Sequence, residues 1–194
     1  GPGEKFLKYS IEQGWLVQAR QSPSQNCEER PADCRPELLV IHNISLPPGQ
    51  FEGNCVERLF TNCLDWEEHP FFEEIRGLRV SAHLLIRRDG ETVQFVSFDQ
   101  RAWHAGVSSY QGRESCNDFS IGIELEGTDD TPYTDEQYRV LNDVTLALLD
   151  AYEPLGVGSV VGHCDIAPGR KTDPGPAFDW PRYLGALPAK EETG

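Results

Sequence analysis

Positive charge is scarce in this chain of 194 residues, which has 17 Lys and Arg against 32 Asp and Glu and a formal net charge of -15. Nucleic acids and anionic membranes are bound through clustered cations, so this balance argues against both as partners. Long apolar runs are also missing, because no segment approaches the roughly 20 apolar residues of a membrane-spanning helix. We therefore expect a globular protein without a membrane span.

Methionine and paired cysteine motifs are absent as well. From the absence of Met we expect that the native start is not included, and Gly1-Pro2-Gly3 looks like the remnant of a cleaved tag. The six cysteines show no C-x-x-C spacing, although an even count would permit disulfides. Reduced thiols in a cytoplasmic protein are the preferred interpretation.

The length suits one domain with a full hydrophobic core. We expect a single domain over residues 1–194 and a monomer. Residues 4–36 are interpreted as a leading arm and loop, within which residues 11–20 carry a short helical pattern.

Two segments carry strong strand patterns. Residues 37–42 form a continuous apolar run, which suits a strand buried on both faces. Residues 119–126 alternate with period two, so their isoleucines share one face and Glu124 lies on the other. A further strand is predicted at residues 80–86.

Turn and helix signals complete the pattern. Asp89-Gly90 between apolar runs predicts a hairpin. Residues 134–137 have the composition of a capping box, and the apolar spacing behind them predicts the longest helix. Residues 55–62 and 69–75 predict two short helices.

The densest chemistry lies in residues 162–175, where His163, Lys171 and Asp173 stand among Pro and Gly. Pro fixes φ and Gly permits tight bends, so such a loop fixes the directions of its polar groups. His163 and Asp173 are ten positions apart (173 − 163) and converge only if the loop folds back. A catalytic zinc site usually has three protein ligands and one open position. His42, at the end of the first predicted strand, is the candidate for the third ligand.

Each candidate also has a purely structural interpretation. His42 could be a hydrogen-bonded histidine at a strand end, and Asp173 could form a turn before the proline that follows it. Glu124 could be solvated on an open sheet face, and Lys171 could be an ordinary surface lysine. We expect His83 to be a buried, hydrogen-bonded residue rather than a metal ligand.

Several separate segments resemble the zinc N-acetylmuramoyl-L-alanine amidases of type 2, in the order in which that family has them. The segments are residues 40–43, 81–83, 103–106, 120–125 and 162–175. The family includes phage lysozyme-type amidases and peptidoglycan recognition proteins, and the similarity is strongest to members that act on anhydro-muropeptides. The resemblance implies an α/β fold with a mixed central β-sheet flanked by helices.

The resemblance makes His42, His163 and Asp173 the ligands of one zinc ion per chain, and it gives Glu124 and Lys171 catalytic roles. The chemistry of these residues agrees, because zinc held by two imidazoles and a carboxylate keeps a net positive charge. Such a site can lower the pKa of a bound water from 15.7 to about 7. Glu124 suits a general base, and Lys171 suits stabilisation of an oxyanion.

Substrate contacts follow from the same resemblance. The family's substrate joins a sugar lactyl group to a peptide rich in carboxylates, so an acidic protein needs local cations to bind it. We expect Arg79, Arg170 and Lys171 to supply positive charge. The residues expected to line the cleft are Asn43, Arg79, Trp103 and His104.

The predicted function is hydrolysis of the amide between N-acetylmuramyl, in its 1,6-anhydro form, and L-alanine in muropeptides. The resemblance implies peptidoglycan recycling in a Gram-negative cytoplasm and an influence on inducible β-lactamase expression. One alternative is a periplasmic amidase that acts on polymeric peptidoglycan. Another is a non-catalytic peptidoglycan-binding module, although binding-only relatives lose a metal ligand and all three candidates are present here.

Overall fold

The computed structural model describes residues 7–188, so the tag remnant predicted at the start of the chain lies outside the described residues. The strands are β1 (Ile11–Glu12), β2 (Trp15–Leu16), β3 (Arg20–Gln21), β4 (Cys27–Glu29), β5 (Leu38–Ile44), β6 (Leu84–Ile86), β7 (Thr92–Gln94), β8 (Gln100–Ala102), β9 (Ser109–Tyr110), β10 (Arg113–Glu114), β11 (Ser120–Glu126) and β12 (Val160–Gly162). The helices are α1 (Cys55–Phe60), α2 (Asp135–Ala151), α3 (His163–Ile166) and α4 (Trp180–Gly185).

A six-stranded sheet in the order β12-β5-β11-β6-β7-β3 forms the centre of the molecule. Strands β12, β5, β11 and β6 are parallel to one another, β7 is antiparallel to β6, and β3 is parallel to β7. The predicted mixed sheet with flanking helices is therefore confirmed. Within residues 7–188, no helix is both long and apolar enough to span a bilayer.

The pairing register of the three strands at one side of the sheet positions the polar residues. Glu124 on β11 pairs with His42 on β5, and Gly162 at the end of β12 pairs with Ile41. His163 follows Gly162 directly, so it leaves the sheet beside His42. The carboxyl ends of parallel strands share one edge, which is where ligands bind in open α/β sheets.

One face of the sheet packs against α2 and α4. The alternate residues Ile121, Ile123 and Leu125 of β11 point into this core and are fully or almost fully buried. Helix α2 covers them with apolar residues at helical spacing, among them Leu141 and Val144. Its start is the predicted capping box, with both reciprocal bonds present.

The opposite face carries a second core near α1. Val56, Leu59 and Phe60 of this helix pack with Leu85 and Val93 of the sheet. This second core covers only part of its face of the sheet. His42 and Glu124 lie on that same face, because along their strands they alternate with residues of the first core. Both strands are consequently buried on both sides, as predicted for residues 37–42.

The helix predicted over residues 11–20 is wrong. This segment forms the β1–β2 hairpin, with Gln13 (φ 51°) and Gly14 (φ 82°) between the strands. Positive φ at both central residues matches the twist of a two-residue hairpin. A Cβ on Gly14 would overlap Ser97 and Asp99, so a tertiary contact fixes this turn.

Two other predicted elements are shorter in the structure. Residues 69–75 form only a 3₁₀ turn, Pro70–Glu73, which the His69 ring caps by accepting from the Phe71 N–H. The strand predicted at residues 80–86 is reduced to β6, because the Ser81 N–H donates to Trp103 O outside the central sheet. That residues 1–194 form one domain stays a prediction.

The capping box of α2 gives a stability prediction. Thr134 Oγ1 accepts from the Gln137 N–H at 3.1 Å, and Gln137 Oε1 accepts from the Thr134 N–H at 3.1 Å. We expect Thr134→Ala to cost about 1 kcal/mol, which corresponds to roughly 2–4 °C in Tm for a chain of this size. Thr134→Ser keeps the hydroxyl and is the control. Equal melting temperatures for Thr134→Ala and the unchanged chain would contradict the prediction.

Candidate metal centre and active-site cleft

Three side chains converge where the parallel strands end. His42 lies near the end of β5, His163 is the first residue of α3, and Asp173 comes from the loop that follows. His42 Nδ1 is 3.0 Å from His163 Nδ1 and 3.3 Å from Asp173 Oδ2. His163 Nδ1 is 3.1 Å from Asp173 Oδ1. The three predicted ligands therefore form one cluster, the ligand cluster.

The separations of these donor atoms suit a tetrahedral zinc ion. Donors at about 2.0–2.1 Å from a tetrahedrally coordinated metal lie roughly 3.3 Å from one another, and the three observed separations are 3.0, 3.1 and 3.3 Å. The remaining ring nitrogens are also engaged, with His163 Nε2 3.0 Å from Ala105 O and His42 Nε2 2.8 Å from His104 Nδ1. Such outer partners typically orient metal-ligating histidines. The residues present fit zinc.

The loop between the second histidine and the aspartate folds back, as its composition predicts. The Cys164 N–H donates to Asp173 O at 3.0 Å, which closes the ten-residue separation. Tyr133 Oη donates to Pro174 O at 2.7 Å, and the Asn43 side chain donates to Pro174 O at 3.2 Å. These bonds tie the loop to β5 and to the segment before α2.

The carboxylate of the ligand cluster is held in its charged form. Burial alone would raise the pKa of Asp173, but hydrogen bonds with His163 and His42 hold that pKa below its ordinary value. Burial lowers the pKa of His42, and this effect outweighs its hydrogen bond with Asp173. A neutral His42 imidazole beside an ionised Asp173 carboxylate is the combination that a zinc site requires of these two ligands.

Glu124 lies next to the ligand cluster and is almost fully buried. Its Oε1 is 3.8 Å from His42 Nδ1, and its Oε2 has no hydrogen-bond partner among the described residues. Burial and then the charge of Asp173 raise its pKa well above the ordinary value, while Lys171 acts in the opposite direction. A carboxyl group with a raised pKa is suited to exchange protons near neutral pH.

The ligand cluster forms the floor of a cleft of about 660 Å³. One wall of the cleft is apolar. Its residues are Phe71, Ile75, Leu78, Val80 and Trp103. Apart from Trp103, this wall was missed from the sequence, because its residues come from a short turn and an irregular segment with no regular period. In the structure Leu78 is 43% exposed and adjoins the other apolar residues of this wall, and contiguous apolar surface beside a cleft marks a binding site.

Residues 32–176 match the Amidase_2 family, described as N-acetylmuramoyl-L-alanine amidase. The chain belongs to this family. It is 64% identical over 183 residues to the 1,6-anhydro-N-acetylmuramyl-L-alanine amidase AmpD of Escherichia coli (strain K12), covering 94% of this chain and 99% of that protein. The family predicted from the sequence motifs is thereby confirmed.

Solved structures of related amidases share the fold. A crystal structure of an Se-Met AmpD derivative has a TM-score of 0.89 at 60% identity, covering 92% of this chain and 99% of that one. AmiD from E. coli, solved in complex with the substrate anhydro-N-acetylmuramic acid-L-Ala-D-γ-Glu-L-Lys, has a TM-score of 0.60 at 25% identity. That alignment covers 93% of this chain and 66% of AmiD.

Of the residues predicted to contact substrate in this Amidase_2 chain, some line the cleft and one does not. Trp103 and Asn43 line the cleft, although Asn43 also donates to Asp129 in the lining and to the Tyr133 hydroxyl. Arg170 lines the cleft while donating to Ala105 O and Val107 O, both at 2.7 Å. Arg79 is exposed, and its neighbours Leu78 and Val80 rather than Arg79 contribute to the wall.

Two further predicted residues occupy the cleft. Lys171 is exposed in its lining, two positions before Asp173. His104 also contributes to the lining, but both of its ring nitrogens bond to other side chains, those of His42 in the floor and of the buried Ser120. Asp129 was missed from the sequence, and it accepts from Asn43 at 2.8 Å and from the Thr172 hydroxyl.

His83 is buried and hydrogen-bonded at both nitrogens, as predicted. Its Nδ1 accepts from the Gly122 N–H at 3.0 Å, so the ring proton is on Nε2, which donates to Gln100 O at 2.8 Å. Burial is the main cause that lowers the pKa of His83 to about 3. This histidine acts as a neutral brace between β11 and β8.

The low pKa of His83 in the folded chain makes the free energy of unfolding depend on pH. Between about pH 6.5 and pH 3 the unfolded chain binds a proton at His83 that the folded chain excludes. His83 therefore reduces the free energy of unfolding by about 1.4 kcal/mol for each unit that pH falls in this window. We expect ¹⁵N NMR at pH 5 to show His83 neutral with its proton on Nε2. A titration of this ring with a midpoint above pH 5 would contradict the assignment.

Proposed function

We propose that this chain hydrolyses the amide between 1,6-anhydro-N-acetylmuramyl and L-alanine in muropeptides, as a zinc-dependent step of peptidoglycan recycling. One observation carries the proposal. In a chain that belongs to the Amidase_2 family, Nδ1 of His42, Nδ1 of His163 and the Asp173 carboxylate meet at 3.0–3.3 Å on the floor of a cleft.

The substrate class is supported by relatives and by the shape of the cleft. The AmpD relative in E. coli is named for the 1,6-anhydro form, and AmiD is described in complex with an anhydro-muramyl peptide. A bicyclic anhydro-sugar is less polar than an open one, and the wall around Trp103 offers it apolar surface. Lys171 adds a cation in the same cleft for the carboxylates of the peptide.

Zinc, with His42, His163 and Asp173 as its proposed ligands, would supply a Lewis acid that lowers the pKa of water and polarises a carbonyl. The protein's own part is to hold these three donors rigidly. The pairing of β5 with β12 fixes the two histidines, and the bond from the Cys164 N–H fixes Asp173.

Glu124 is the proposed general base and acid. It is buried, so its carboxylate is poorly solvated and accepts a proton from the attacking water readily. The same carboxyl group then delivers that proton to the departing nitrogen of L-alanine. Its unpartnered Oε2, identified among the described residues, supplies a free acceptor for this exchange.

Lys171 is the proposed group that stabilises negative charge on the scissile carbonyl oxygen. It lines the cleft on the rigid loop that carries Asp173, and an ammonium there can approach a developing oxyanion. In other enzymes, one such donor contributes roughly 3–4 kcal/mol to transition-state stabilisation.

We also propose a cytoplasmic location. All six cysteines lie within the described residues as free thiols, which suits a reducing compartment. Polymeric peptidoglycan outside the cytoplasm is the alternative substrate, and the first experiment distinguishes the two.

We expect purified chain to release peptide from anhydro-muropeptide, and to act much more slowly on intact sacculi. A chelator should abolish release, and one equivalent of zinc should restore it, because the three donors hold a single ion. Liquid chromatography measures release, and elemental analysis measures zinc. Full activity after verified metal removal would contradict the mechanism, and faster release from sacculi would favour the polymeric substrate.

We expect Glu124→Gln to retain zinc and to lose turnover by about 10²–10⁴-fold, because an amide keeps the shape of the side chain but takes up no proton. Glu153→Gln, at an exposed position, is the matched control for loss of one negative charge. Single-turnover assays and zinc analysis separate chemistry from binding. Turnover of Glu124→Gln equal to that of the control would remove Glu124 from the catalytic set.

A further inference from the structure

A chain of three side chains runs from the ligand cluster into the sheet beneath it. His42 Nε2 is 2.8 Å from His104 Nδ1, and His104 Nε2 is 3.0 Å from Ser120 Oγ. Ser120 is fully buried at the start of β11, and His42 is 1% exposed. The three groups therefore have few alternatives to bonding one another.

The backbone reserves the space for the central ring. Gly122 lies directly beneath His104, and a Cβ at Gly122 would overlap the imidazole. Asn117 Oδ1 accepts from the backbone N–H groups of His104 and Ala105, at 3.1 and 2.8 Å, which fixes the segment that carries the ring. Gly122 and Asn117 together therefore fix the position of the His104 ring.

The chain of bonds has two possible directions. A neutral imidazole donates from one nitrogen and accepts at the other. If His42 Nδ1 is free to bind an ion, the His42 proton is on Nε2, so His104 accepts at Nδ1 and donates from Nε2 to Ser120. If His42 Nδ1 carries the proton instead, every bond reverses and the ligand atom is blocked.

We propose that His104 is a positioning residue that accepts a hydrogen bond from His42 Nε2 and so keeps Nδ1 of His42 available as a metal ligand. This inference rests on the proposed zinc function. His104 does not touch the ion or the substrate in this role. It acts through the tautomer and the ring orientation of His42.

The second histidine ligand is oriented differently. His163 Nε2 is 3.0 Å from Ala105 O, and a carbonyl can only accept, so the proton of His163 is fixed on Nε2. His42 has no such carbonyl partner among its hydrogen bonds in the described structure. His42 Nδ1 also faces an acceptor, Asp173 Oδ2 at 3.3 Å, so the His42 proton has a partner at either ring nitrogen. His104 supplies the acceptor at Nε2 that favours the tautomer with a free Nδ1.

Two substitutions of similar size separate positioning from packing. In His104→Asn, Oδ1 takes the place of Nδ1 and can still accept from His42. In His104→Gln, the amide reaches the position of Nε2, so it can contact Ser120 but leaves His42 without its acceptor. If the ring served only to fill space, the smaller Asn would be the more harmful change.

Zinc affinity, measured by competition with a chromogenic chelator, is the readout. We expect His104→Gln to weaken zinc binding by about 10- to 100-fold, and His104→Asn to stay close to the unchanged chain. ¹⁵N NMR of the zinc-loaded unchanged chain should show the protons of His42 and His104 both on Nε2. This spectrum tests the positioning role of His104 even if a variant fails to fold.

The outcomes separate the two proposals. If the unchanged chain binds no zinc, the proposed function fails. If it binds zinc while both variants bind equally well, or while NMR finds the His104 proton on Nδ1, the positioning role fails and the metal centre stands. A larger loss for His104→Asn than for His104→Gln would also overturn the positioning role, because it indicates packing.

Discussion

The pairing register of three parallel strands is the constraint on which the ligand cluster depends. Glu124 lies opposite His42, and the step from Gly162 to His163 occurs beside Ile41. A slip of one residue would turn His42 into the apolar core and expose Ile41. Exposing one such side chain costs about 1.5–3 kcal/mol, and several would be exposed together. The hydrophobic core beneath α2 therefore holds the geometry of the ligand cluster, although none of the core residues that the structure describes lines the cleft.

Much of this framework could be predicted from local sequence patterns. The apolar run before His42 and the alternation around Glu124 each predict a strand, and the structure confirms both as β5 and β11. The capping box needs only residues 134–137, and it is present with both bonds. The convergence of the ligand cluster was predictable for a different reason. Two imidazoles and a carboxylate in rigid settings match the donor set of zinc, and the structure brings them to 3.0–3.3 Å.

Features that depend on tertiary contacts could not be predicted in this way. Residues 11–20 have a helical spacing, but the contact of Gly14 with Ser97 and Asp99 selects a hairpin. Arg79 was expected to line the cleft from its charge and from the family resemblance, whereas its direction depends on an irregular segment. The bond between His42 and His104 joins residues 62 positions apart, and no local pattern reports which ring nitrogen faces another side chain. Each of these depends on a partner that is distant in the chain.

The segment 104–105 connects these observations, because it reaches both histidines of the ligand cluster. The side chain of His104 bonds to His42, while the carbonyl of Ala105 accepts from His163 and from Arg170. Two imidazoles that are 121 positions apart in sequence thus take their orientation from adjacent residues. A displacement of about 1 Å in reacting groups can cost 10²-fold in rate, so independent supports would add two separate sources of error. A single shared support instead ties the orientation of both rings to one short segment of backbone.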